Sequence, residues 1–186
     1  HAEVTSLAAA TLTPTVNGYS STTINAASVT TLTGTNAEIV AAYAADTANT
    51  VNIDGDAKLT VSGTITYLEA NTLDGYTTGV ITATISTATI NDLLNLDGTN
   101  NYYAITVGTA QVTAAALNNV NTKTTDNVNA TAVTHIIGTA AELATTYTAN
   151  NGITGLGNET IIVEDSSLAA ATLTPTINDY STTTID

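Results

Sequence analysis

No segment of this chain is long enough to stand as an element on its own. Seven times a Ser or Thr opens a short, mostly Ala-rich segment: "SLAAATL" at Ser6, "TNAEIVAAYAA" at Thr35, "TYLEANTL" at Thr66, "TINDLLNL" at Thr89, "TAQVTAAAL" at Thr109, "TAAELATTY" at Thr139 and "SLAAATL" at Ser167. Each reads as a helix of about two turns, and helices that short are marginal in water unless something holds one side. Three of them carry a capping box, Thr35 with Glu38, Thr66 with Glu69, and Thr139 with Glu142. In that box the hydroxyl accepts from the third helical amide while the carboxylate accepts from the cap amide. Thr89 with Asp92 is a weaker relative.

Strand-like segments lie between these helices: "TTINA", "SVTTLTG", "TVNID", "KLTVSG", "VITATIS", "YYAITV", "VNA", "AVTHII" and "ETIIVED". Thr, Val, Ile and Tyr dominate them, with clear alternation at Ile81, Ala83 and Ile85. Turn chemistry such as "DGD", "DGY", "NNG" and "GLGN" separates them. The proposed caps recur about every 27 residues, the period of leucine-rich and related solenoids. The spacing therefore predicts a β-rich α/β solenoid of about six irregular coils, short helices alternating with parallel laddered strands, as a single module over residues 1–186.

The core of such a fold has to be thin, because the chain has no Phe, Trp, Cys or Met and its aromatics are eight Tyr. With 43 Thr and 30 Ala, small and β-branched side chains do the packing, which suits layers stacked in register. The chain also restarts its own beginning. "SLAAATLTPT" stands at residues 6–15 and again at 167–176, and residues 3–25 and 164–186 agree at 17 of 23 positions. A super-repeat with a period of 161 positions follows, in which residues 164–186 open the next copy, so we expect the chain to be a piece of something longer.

Sixteen acidic residues against two Lys give a net charge of −14. That field repels nucleic-acid phosphates and anionic lipid, so no nucleic-acid partner is expected. The longest run of Ala, aliphatic and aromatic residues covers only residues 39–45, so no membrane insertion is expected either. Without Cys there are no disulfides or thiolate metal sites.

The stretches "GTAAELATTYTANNGITGLGNETIIVEDSSLAAATL" and "LEANTLDGYTTGVITATIS" resemble the Ala/Thr/Asp-rich repeats of giant secreted and cell-surface proteins of cyanobacteria and marine bacteria, often described as hemolysin-type or calcium-binding adhesins. The resemblance covers most of the chain in composition and repeat rhythm, and it implies an extracellular or cell-surface structural role. It carries no catalytic residues across. The Gly-Gly-x-Gly-x-Asp signature of calcium rolls is absent, so that mechanism of calcium binding is not expected.

Among candidate sites, "NIDGDAK" gathers oxygen ligands at Asp54 and Asp56 around a Gly, as calcium loops do, although Asp-Gly is also ordinary turn chemistry. "NLDGTNN" is similar, and calcium is the one cofactor the sequence suggests. His135 is the sole internal His and reads as a strand residue at the surface or in packing. No catalytic set can be assembled around it, and no enzyme is expected. Asn129-Ala-Thr and Asn158-Glu-Thr fit the glycosylation pattern that any chain rich in Asn and Thr produces. The Thr-x-Thr sets at Thr11/Thr13/Thr15, Thr31/Thr33, Thr82/Thr84 and Thr174/Thr176 suggest an ice-binding array if they form one flat lattice, although Thr is also simply a good strand residue. The eight Tyr could stack sugars, and packing over helix faces with the hydroxyl at solvent is the expectation.

Two functions fit these residues. One is a structural module stacking with itself, head to tail through its terminal coils, into a filament, fibre or surface layer. The other is an adhesin module holding glycans or another cell surface, with or without calcium.

Overall fold

A computed structural model describes residues 5–167, 177–180 and 182. It divides into two compact units, His1–Ile85 with Asn100–Tyr103, and Ser86–Thr99 with Ala104–Asp186. The second "SLAAATL" lies largely outside the described residues.

In the first unit, β1 (Ser6–Ala8), β3 (Thr31–Gly34), β5 (Lys58–Ile65) and β6 (Ile81–Ile85) form a parallel sheet in that order. A smaller parallel pair joins β2 (Ile24–Ala26) to β4 (Val51–Ile53). Helix α1 (Asn36–Thr47) follows β3, and α2 (Tyr67–Asp74) follows β5. Leu7, Leu32, Leu59 and Ile81 are register partners in one row, of which the last three are fully buried. Ile39, Ala42, Ala70 and Leu73 on the helices are also fully buried, so one thin aliphatic layer forms the core of this unit.

In the second unit, the last residues of β7 (Tyr102–Thr106) pair with β9 (Val128–Asn129), and β9 with β11 (Ile153–Thr154), all parallel. β8 (Gln111–Thr113), β10 (His135–Gly138) and β12 (Thr160–Val163) make a second parallel ladder with Val112, Ile136 and Ile161 in one buried row. Here α3 (Ile90–Leu93), α4 (Ala114–Asn121) and α5 (Ala140–Thr146) supply Leu93, Leu117, Val120 and Leu143 to the interior. Among the named strands the register partners closest in sequence are Thr64 with Thr84 and Ile65 with Ile85, and the most distant are pairs such as Thr31 with Lys58. That range is shorter and steadier than the spacing of the caps suggests. The pairing of β5 with β6 slips between Thr60 and Thr64, where Gly63 takes φ +80°.

All three capping boxes form as expected, at Thr35, Thr66 and Thr139. The glycine ahead of two of them has a reason: a Cβ on Gly34 would stand 2.9 Å from Glu38 Oε2, and one on Gly138 3.1 Å from Glu142 Oε2. The folded-back carboxylate occupies that space. Two cap expectations are corrected. Ser6 opens strand β1, and the helical turn begins only at Ala9. The cap of α4 is Thr113, whose hydroxyl accepts from Ala116 N, because "QVT" runs as strand β8 first.

Thr109 has a different task. Its hydroxyl accepts from the amide of Ile90 at 2.8 Å, so it satisfies the first turn of a helix that precedes it in the chain. Asp165 does the same for Ala140 N at 2.6 Å, and Glu69 accepts from the Asn36 side chain at the start of α1. Threonine hydroxyls tie neighbouring segments too: Thr30 donates to Thr5 O, Thr134 to Ala110 O, Thr77 to Ala57 O and Thr154 to Val128 O. Each such bond joins one segment to the next along the chain, a task a Thr hydroxyl can perform from the ladder itself.

The tightest backbone approach is at Gly79, where a Cβ would stand 2.3 Å from Asp56 O and 2.7 Å from Ala57 O. Gly55, on the turn it faces, has nothing within 4 Å. Gly79→Ala should therefore cost about 2 kcal/mol or more, and Gly55→Ala close to nothing. Urea denaturation midpoints of the two variants check this contrast.

Candidate functional site

Asp54 and Asp56 are both exposed on a turn closed by the Ala57 amide donating to Asp54 O at 3.2 Å. The Gly55 carbonyl between them accepts from Thr78 N at 2.9 Å. Turn geometry thus accounts for "DGD" by itself, and among the described residues no three His, Cys, Asp or Glu side chains gather as a metal cluster. His135 opens strand β10 as an exposed residue, its Nδ1 sharing a 3.0 Å hydrogen bond with the Thr134 hydroxyl. Asn129 and Asn158 are both exposed. The Asn129 Oδ1 accepts from Thr131 N and the Thr131 hydroxyl, so the glycosylation triplet is also a closed turn at the end of β9.

Thr33, Thr60 and Thr82 are register partners across β3, β5 and β6, a row at about 4.8 Å spacing on the outward side of the sheet. Thr64 and Thr84 form a second, shorter row. Lys58 lies opposite Thr31, and the slip at Gly63 breaks the lattice between the rows.

A cleft of about 580 Å³ lies in the second unit, lined by Asn121, Thr125, Asp126, Asn127, Asn151 and neighbouring residues. Its walls are polar because two asparagines hold its backbone open. Asn121 Nδ2 donates to Asn151 O at 2.6 Å, and the Asn151 Oδ1 accepts from Ile153 N at 2.9 Å. Gly152, at φ +91°, leaves the space that Asn121 Oδ1 occupies. Asn127 and Asn150 on the rim are exposed and offer the donors and acceptors that a polyol or sugar ring would use.

Two buried polar arrangements and two stacked tyrosine pairs have no counterpart among the expectations drawn from the sequence. In the first unit Asn101 is 4% exposed, and its Oδ1 accepts from Ile81 N at 2.8 Å. Its Nδ2 donates to Asp74 Oδ1 at 2.7 Å and to the Tyr103 hydroxyl at 3.0 Å. Tyr103 is fully buried, which corrects the expectation of tyrosine hydroxyls at solvent. Tyr43 and Tyr76 stack, with centroids 4.9 Å apart. In the second unit Glu159 is fully buried and accepts from Gly157 N, Asn158 N and the Tyr147 hydroxyl. The Tyr147 ring stacks on Tyr180 with centroids 4.7 Å apart and planes within 2°. No motif in the sequence marks Asn101 or Glu159, since each takes its meaning from a residue that only folding brings near.

Burial, with the carboxylate of Glu159 alongside, pushes the Tyr147 hydroxyl far above the ordinary tyrosine range, and burial raises Tyr43 as well. Groups whose folded values are raised contribute stability that is complete below about pH 10 and lost as the pH rises further. Glu69 is shifted the other way, held below its ordinary value first by the Thr66 backbone amide and then by the Thr66 hydroxyl. Its contribution is present above about pH 4 and lost on acidification.

Tyr147→Phe should cost about 2 kcal/mol, because it leaves a buried carboxylate without that donor, and it should flatten the alkaline loss of stability. Asn101→Ala should cost about 3 kcal/mol by removing the acceptor of the buried Ile81 amide and a donor to Asp74 and Tyr103. Chemical denaturation between neutral pH and about pH 11 checks both. No protein-family model, curated protein or solved structure matches this chain.

Proposed function

We propose that the chain is a structural repeat module of a bacterial extracellular protein, a β-rich α/β solenoid that stacks head to tail into a filament, fibre or surface layer. The observation that carries this reading is the pair of aliphatic ladders, Leu7–Leu32–Leu59–Ile81 in one unit and Val112–Ile136–Ile161 in the other. Each rung comes from one segment and touches the next one along the chain, so cohesion passes from neighbour to neighbour as in repeat arrays. Such a ladder has no intrinsic last rung: an edge strand keeps its unpaired amides and carbonyls for another strand. A heterologous contact between unlike ends then propagates instead of closing.

With a net charge of −14, stacked copies repel one another, so assembly should strengthen with ionic strength. Electron microscopy and light scattering of the purified chain across a salt series test this. Fibres that lengthen with protein concentration and with salt are expected. A chain that stays monomeric at every concentration and salt level would overturn the reading.

An adhesin role is the second reading, and the polar cleft beside Asn121 and Asn127 supports it. Titration calorimetry with oligosaccharides, with and without calcium, tests that reading, and Asn127→Ala should weaken any binding by about tenfold. Calcium at Asp54 and Asp56 would show as binding lost in Asp54→Asn/Asp56→Asn. The Thr33–Thr60–Thr82 row supports ice binding over three strands only, and a thermal hysteresis measurement tests it.

A further inference from the structure

In an Asn-Gly pair the glycine amide nitrogen can attack the asparagine Cγ, because no side chain shields the approach. The new N–Cγ bond closes a cyclic imide, the Cγ–Nδ2 bond breaks, and ammonia leaves with the amide proton. Water then opens the imide at either carbonyl, giving aspartate or isoaspartate. The chain holds two such pairs, Asn17-Gly18 and Asn151-Gly152, and the second lines the polar cleft, where water has access to it.

The fold grips Asn151 tightly. Its Oδ1 accepts from Ile153 N at 2.9 Å, while its Nδ2 donates to Thr145 O at 3.1 Å and to Thr146 O. The two carbonyls belong to the last turn of α5, where helical acceptors lack partners within the helix. Attack by Gly152 N must turn Cγ away from this arrangement and abolish the planar amide that the three bonds hold. The closed turn therefore opposes the reaction.

The turn itself does not require an asparagine at this place. Thr-Ala-Asn stands at the end of α1, at 47–49, and just beyond α5, at 148–150, with Asn49 at φ 57° and Asn150 at φ 60°. In the first unit Thr50 comes next, and its hydroxyl donates to Ala45 O at 3.0 Å, five residues back, as the Asn151 carboxamide does to Thr146 O. A threonine thus closes a helix end of this kind without a reactive amide. Gly152, by contrast, is required, since it takes φ +91° and a Cβ there would stand 2.9 Å from Asn121 Oδ1. What Asn151 adds beyond the task of Thr50 is the capacity to cyclise.

We propose that Asn151-Gly152 is a self-modification site that the fold keeps closed: the imide forms when α5 and β11 come apart, and its products hinder the turn from closing again. A carboxylate at this place only accepts, so it would meet Thr145 O and Thr146 O with no proton to share. It also sets a negative charge at the C-terminal end of α5, where the helix dipole is already negative. Isoaspartate routes the main chain through Cβ and Cγ, one carbon longer, immediately before Gly152, whose carbonyl accepts from Val128 N. The pairing of β11 with β9 then loses its register at Ile153 and Val128. A molecule whose second unit has opened is marked irreversibly, and the mark weakens that unit.

Peptide mapping by mass spectrometry of the unchanged chain, kept at neutral pH with and without denaturing urea, tests whether the fold closes the site. Conversion of Asn151 should be at least about tenfold slower in the folded chain. Equal rates in the two states would overturn the proposal. Urea midpoints of Asn151→Thr and Asn151→Asp test the second half. Asn151→Thr should stay close to the unchanged chain, because its hydroxyl can reach the same carbonyl as that of Thr50 does, and Asn151→Asp should unfold at clearly lower urea. Folding of Asn151→Thr with outright failure of Asn151→Asp would support the proposal equally. An Asn151→Asp chain as stable as Asn151→Thr would overturn it.

Discussion

Everything in this structure depends on parallel pairing between strands that are well separated in the chain, Ser6 with Thr31, His135 with Thr160 and Val128 with Ile153 among them. A parallel pair cannot be closed by a tight hairpin, so the chain must travel away and come back, and it does so through a short helix. The helices are consequences of that return path. Their length is set by the distance to be covered, and their stability comes from the sheet they lie on and from a cap at the entry. The same pairing explains the composition. When similar tasks recur along the ladders, a small β-branched residue with a hydroxyl serves two of them, filling the strand and donating to the next carbonyl, as Thr30, Thr134 and Thr154 do.

What can be read from the letters follows from how local each feature is. A capping box is complete within a single turn, so Thr35, Thr66 and Thr139 are recognisable with nothing but their neighbours. The alternation in "ITATI" is equally local, and β6 appears where it is expected. Thr109 misleads because its hydroxyl does serve a helix amide, that of Ile90, which lies in another segment. "TAQVTAAAL" holds a strand and a helix with no turn residue between them, since Thr113 ends β8 and caps α4 at once. β11 is only Ile153 and Thr154, too short to have a pattern of its own.

The candidate sites divide along the same line. Asp54 and Asp56 are visible because Asp-Gly-Asp is a local signal, and their local role in a turn accounts for that signal. Asn101 and Glu159 are invisible, though both are buried and each ties several groups of its interior together. Nothing adjacent in sequence to Asn101 announces that it will meet both Asp74 and Ile81. Burial makes such groups consequential, because an unmatched donor or carboxylate in a dry site costs far more than one at the surface.

The slip at Gly63 has a consequence for register. Before it Leu59 is matched to Ile81, and beyond it Thr64 is matched to Thr84, a pair closer together in sequence, so a single strand holds two phases of the same ladder. A left-handed glycine lets the surplus bulge outward while the buried rungs Leu59–Ile81 and Ile65–Ile85 stay aligned on either side. Small insertions and deletions can therefore be absorbed within a strand, without moving the interior. A parallel ladder with such a bulge keeps its buried rungs in step although the paired strands differ in the number of residues between them.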